Sequence, residues 1–188
     1  MRRAVVYAVL LATIGVTAGC GGGGGDDDAA APRTEPSSAL PPAWNPCSGL
    51  DAQQVGRIFG GTFATRLGTA EVPTCTFSPQ ADGDPVVDVN YQAYVGSLTE
   101  LLATFGVVVG DEDTAVSTPT IPGADEARVI VDVDEGTIAV TGFVQNGRLV
   151  QIVNVLDPQP FDRKALRAGI ESVMAALAAN AGSSGLTG

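Results

Sequence analysis

The chain has 188 residues, 45% of them hydrophobic, with 21 acidic against 10 basic residues and a formal net charge of −11. An acidic surface repels phosphates and anionic head groups, so the balance argues against nucleic acid and against electrostatic membrane binding. The chain contains no histidine, which excludes Ser-His-Asp and Cys-His catalysis and any histidine-ligated metal.

Met1, Arg2 and Arg3 form a short basic start, residues 4–16 are mainly apolar, and Thr17, Ala18 and Gly19 lead into Cys20. Basic, apolar, then small is the order of a secretory signal, too short and wrongly flanked for a spanning helix. A cysteine after Ala-Gly resembles a bacterial lipobox, whose thiol receives a diacylglycerol and becomes the new N-terminus. Thr17 stands where that motif usually has Leu. The expectation is a signal peptide over 1–19 and lipidation at Cys20, with the mature protein anchored on the extracytoplasmic face of the cell membrane. Losing Arg2 and Arg3 leaves 8 basic against 21 acidic residues in the mature chain, a net charge of −13. Five glycines and three aspartates follow Cys20, then a Pro/Ser/Thr-rich run to 44. Such composition makes a tether of roughly 27 Å end to end, not a fold.

With Cys20 acylated, Cys47 and Cys75 remain as an even pair in an oxidising compartment, where only one bridge is available. Zinc is a poor alternative, because two thiolates need two further soft or imidazole ligands. A bridge closing a loop of about 29 residues adds roughly 3.6 kcal/mol on the chain-entropy account.

A single domain is predicted over 45–181. Asp51 with Gln54 makes a capping box for a helix to about Phe59, Leu50 and Val55 form a hydrophobic staple, and Gly60-Gly61 ends the helix. Residues 62–67 and 74–78 read as strands. A turn at 82–85 precedes an alternating strand over 86–91 with Val87, Val89 and Tyr91 on one face. Ser97 and Glu100 open a second helix that Gly106 stops, and 110–122 reads as a polar loop. A valine-rich meander follows, with turns at Glu135-Gly136 and Asn146-Gly147. Two-residue loops at those positions pair Val133 with Ile138, Val131 with Val140, Val144 with Leu149, and Val140 with Val153. The opposite face carries Ile130, Ala139, Phe143, Val150 and Ile152. Asp162 caps a final helix with an apolar stripe at Leu166, Ile170, Val173, Met174 and Leu177, expected to close over the valine face. Residues 182–188 read as a loose tail. The element order gives an α+β class: a mostly antiparallel sheet with helices packed on it, like an α/β/α sandwich.

The run from Asn45 through Pro46, Cys47, Ser48, Gly49, Leu50 and Asp51, the helix to Gly60-Gly61, and Cys75-Thr76-Phe77 resemble a family of actinobacterial cell-envelope lipoproteins with a domain of unknown function. Its members begin Pro-Cys-Ser-Leu-Leu and later show Cys-x-Trp. Gly49 and Phe77 depart from that pattern. The resemblance implies a Cys47–Cys75 disulfide and an extracytoplasmic location, and brings no activity. By looser analogy the element order looks like a PsbP-type sandwich, which licenses no function.

Candidate chemistry is sparse. Carboxylate chemistry, as in a two-carboxylate hydrolase, is the one surviving enzymatic option, and Asp111, Glu112, Asp113, Asp125 and Glu126 cluster in or beside one loop. Asp132, Asp134, Glu135 and Gly136 faintly match a calcium loop, but Gly136 is one position early and Phe143 stands where the bidentate Glu belongs. A hairpin turn explains them better. Trp44, Tyr91 and Tyr94 are stacking candidates, more often found as packing. The expectation is therefore no catalysis, cofactor or metal. The chain reads as an anchored accessory module that docks on another envelope protein or holds a small apolar ligand. The alternative is a carboxylate-dependent hydrolase of wall glycans. Replacing the anchor residue tests the first step: Cys20→Ala should move the protein from the membrane to the soluble fraction. A variant that stays membrane-bound, with no acyl mass on the wild type, contradicts the anchor.

Overall fold

The computed structural model describes residues 44–107, 114–134 and 136–188. The expected signal peptide over 1–19 and residues 20–43 of the expected tether, Cys20 among them, lie outside these residues, as do Asp111, Glu112, Asp113 and Glu135. Three helices, α1 (Ala52–Phe59), α2 (Leu98–Thr104) and α3 (Arg163–Asn180), accompany seven strands. The strands are β1 (Phe63–Leu67), β2 (Thr74–Pro79), β3 (Val86–Ala93), β4 (Thr114–Ser117), β5 (Glu126–Asp134), β6 (Thr137–Asn146) and β7 (Leu149–Pro158). They form one antiparallel sheet in the order β1-β2-β3-β7-β6-β5-β4. Two meanders thus meet through their last strands, β3 and β7.

The helices form where capping chemistry starts them. Asp51 accepts from the Gln54 amide at 2.7 Å while the Gln54 side chain returns to the Asp51 amide, completing the box. Ser97 and Glu100 do the same for α2. Asp162 accepts from the amides of Lys164 and Ala165 to start α3.

Strand alternation then sorts the side chains into two cores. On one face Phe77, Val87, Val89, Val129, Val140, Val144 and Val153 pack under α1 and α3. On the other, Ile130, Phe143 and Val150 pack under Leu98, Leu101 and Leu102 of α2. The sheet is therefore covered by helices on both sides, which makes the fold an α/β/α sandwich. The α3 stripe at Leu166, Ile170, Val173, Met174 and Leu177 is buried on the valine face, each residue contributing about 1.5–3 kcal/mol by leaving water. Two glycines set the closeness of this layer. A Cβ on Gly142 of β6 would meet the Met174 sulfur at 2.6 Å, and one on Gly169 would meet the Phe59 ring at 2.5 Å. Cys47 and Cys75 are bonded, with Cα atoms 5.4 Å apart, tying the short 3₁₀ turn Pro46–Gly49 to β2 beneath α1.

Four expectations need correction. The polar loop 110–122 contains the edge strand β4, paired to β5 from Thr114↔Asp132 to Ser117↔Val129. Its sequence, Thr-Ala-Val-Ser, is too short and polar to read as a strand alone. The second hairpin turns on Gly147-Arg148, so Val144 faces Gln151 and Val140 faces Val155. This two-residue slip keeps every side chain on its expected face. Its cause is Asn146, whose side chain donates to the Gly123 carbonyl at 2.5 Å and so holds the residue in the strand, leaving Gly147 (φ +57°) to begin the turn. Trp44 belongs to the domain rather than the tether, edge-on to Tyr91 at 5.1 Å and donating from Nε1 to Ser183 Oγ at 3.0 Å. The tail is engaged as well: Ala181–Ser184 is a 3₁₀ turn, and the Arg148 amide donates to the Leu186 carbonyl at 3.0 Å.

Leu177 is fully buried, so Leu177→Ala should cost about 2–5 kcal/mol in urea unfolding. A loss below about 0.5 kcal/mol is what an exposed position gives and would contradict the placement of α3.

Candidate functional site

A groove of about 480 Å³ lies at one end of the second core, between the first turn of α2, the β4–β5 loop and the start of β5. Backbone demand builds it. The β4–β5 loop turns at Gly123 (φ +81°), and the Ala124 amide closes back on the Ile121 carbonyl at 3.1 Å. The loop is then held against the β6–β7 turn. The Asp125 amide donates to the Gln145 carbonyl at 2.9 Å, and Asp125 Oδ2 accepts from the Gly147 amide at 2.7 Å. Gln145 Nε2 donates to the carbonyls of Gly96 and Gly147, at 2.9 and 3.0 Å, fixing the approach to α2.

Arg128 crosses the groove with only 18% of its side chain exposed. It donates from Nη1 to the Ala127 carbonyl at 2.8 Å and from Nη2 to Thr99 Oγ1 at 3.2 Å, with Glu126 Oε2 at 3.4 Å. Thr118 and Thr120 add hydroxyls to the wall. The lining is thus a cation, two carboxylates and several hydroxyls. It suits a polar backbone or hydroxyl-bearing group rather than a lipid chain.

The sequence-predicted acids divide between structural tasks. Asp125 holds a turn and Glu126 pairs with Arg128. Asp132 and Asp134 lie on β5, before a hairpin turn whose Gly136 adopts φ +89°, and the Gln159 amide donates to the Gly136 carbonyl at 2.9 Å. Among the described residues no three acidic or cysteine side chains gather as a metal site. The aromatic candidates separate too: Trp44 joins the first and last described segments through Ser183 and rests edge-on against Tyr91 of β3, whereas Tyr94 packs with α2.

Sequence reading overlooked several polar residues set among the valines of the strands. Gln151 is fully buried and donates from Nε2 to the Leu177 carbonyl at 3.1 Å, satisfying one of the last-turn acceptors of α3. Asp157, 7% exposed at the end of β7, lines a cavity of about 140 Å³ with Ile58, Phe59 and Asp162. Burial raises its pKa, and the neighbouring Asp84 charge adds to the rise. The available signal was a polar residue on the inward phase of an apolar strand.

No protein-family profile matches the chain, and no curated protein shows significant similarity to it.

Asp157 makes stability depend on pH in a defined sense. Its folded pKa lies above the ordinary 3.8. The folded state therefore holds the proton more tightly, and the stabilisation is complete below about pH 3.8. It is lost as pH rises through the raised value. Asp157→Asn should unfold at higher urea than the wild type at pH 7 and show a flatter profile between pH 4 and 7. Equal midpoints at pH 7 would contradict the assignment.

Proposed function

We propose that the chain is a lipid-anchored, non-catalytic docking domain of the bacterial cell envelope, held at Cys20 on the extracytoplasmic face of the membrane and related to the actinobacterial lipoproteins it resembles. The disulfide beneath α1 supports an oxidising location. The observation that carries the docking reading is the groove beside Arg128: its carboxylates at Asp125 and Glu126 are already committed to Gly147 and Arg128. A hydrolase needs two carboxyls aimed across a cleft at the scissile bond, one of them free to move a proton. An apolar-ligand carrier needs a deep apolar cavity. The polar wall of this groove favours contact with another protein over either.

The test is functional replacement in a strain whose phenotype depends on this protein, with abundance checked. Asp125→Asn and Glu126→Gln, singly and together, should leave at least about a tenth of wild-type function. A two-carboxylate enzyme loses general acid–base help of about 10²–10⁴-fold from one such change. Complete loss from either single variant, in protein that still folds and reaches the membrane, overturns the reading.

A further inference from the structure

Strand β1 is a sheet edge with a neighbour, β2, on one side only among the described residues. The Gly68 amide donates to the Thr74 carbonyl and the Gln80 amide to the Thr62 carbonyl, both at 2.9 Å. Even-numbered residues of this segment therefore face β2, and the amides and carbonyls of Phe63, Thr65 and Leu67 point outward. Residues 64–67 are exposed, Leu67 at 58%. The other edge differs: β4 has four residues and runs directly towards Pro119, a residue with no amide to offer.

Each end of β1 opens into a groove. Beside Phe63, a groove of about 400 Å³ is walled by Gly56 and Arg57 of α1 and by Gly61. Beside Leu67, one of about 220 Å³ is walled by Trp44, Asn45 and Pro73. The two lie four residues apart, ~13 Å along a strand, which is the distance between same-face side chains i and i+4. Charge distinguishes the ends. At the Phe63 end Arg57 is exposed and makes no ion pair among the described residues, on a chain of net charge −11. At the far end Glu71 stays ionised, its pKa lowered by its own backbone amide and by Thr69.

We propose that β1 docks an extended segment of another envelope protein as an eighth, antiparallel strand. An acidic side chain of that segment lies at the Arg57 end, and an apolar one four residues away enters the groove between Leu67 and Trp44. The backbone groups of Phe63, Thr65 and Leu67 hold the added strand, and the two grooves select its sequence. This deepens the docking reading and rests on it.

The test uses the full mature chain in detergent micelles against a displayed library of random nine-residue peptides. Selected peptides should alternate and carry an acidic and an apolar residue four positions apart. Their affinity should fall at least tenfold with Thr65→Pro, which removes an outward amide while sparing the β1–β2 ladder. Arg57→Glu, on an exposed helix position, should weaken them equally, and exchanging the peptide acid for lysine should restore binding to that variant. Three results overturn the proposal. Peptides indifferent to both variants but lost with Arg128→Ala place docking in the polar groove, and the docking reading then survives without the edge. A failure to enrich any peptide rejects a peptide occupant. A dimer in sedimentation that Thr65→Pro dissolves assigns the edge to a second copy.

Discussion

The close approach of α3 to β6 governs the rest of the structure. It exists because Gly142 has no side chain where Met174 and Ile170 descend onto the sheet. With α3 at that depth, its other side meets α1, again through a glycine, since Phe59 rests where a Cβ of Gly169 would be. The disulfide then ties the lead-in of α1 to β2, and Gln151 reaches from β7 to a carbonyl of the last turn of α3. Trp44 and Ser183 close the circuit between the first and last described segments. Each link is short in space and long in sequence, so they stand or fall with the layer as a whole.

Much of this was legible because the governing signals are local. The capping boxes at Asp51 and Ser97, the N-cap at Asp162 and the α3 stripe are periodic or fixed-offset patterns that tertiary context reinforces. The faces of the meander were legible for the same reason, since a strand has only two phases. The hairpin register was not. It depends on where the Asn146 side chain goes, and its partner, the Gly123 carbonyl, is 23 residues away. Strand β4 was hidden likewise: what makes Thr-Ala-Val-Ser a strand is the exposed side of β5, not its own composition.

The candidate site was legible only in part. Asp125 and Glu126 stood out as acids in a loop, but their committed roles follow from Gly147 and Arg128. Neither partner carries a sequence signal of its own. Arg128 is the residue that joins β5 to α2 through Thr99, and it sits in the sequence as one polar position in a valine strand. Buried strand polars are therefore the features that separate a fold reading from a site reading here. The two places that distinguish this domain from a plain sandwich are the polar groove around Arg128 and the open edge of β1. They lie at opposite ends of the strand order, so one domain presents two separable surfaces to its surroundings.

The central claim is that the domain works by contact and not by chemistry. Photo-crosslinking in intact cells tests it most directly, with a photoreactive residue at Thr65, at Thr120 or at the exposed Ser172 of α3 as a control. The account predicts an adduct of one defined mass from Thr65 or Thr120, none from Ser172, and loss of the adduct when Cys20→Ala frees the chain from the membrane. Absence of any adduct from all three positions, in cells where the protein is present and its phenotype intact, would contradict it.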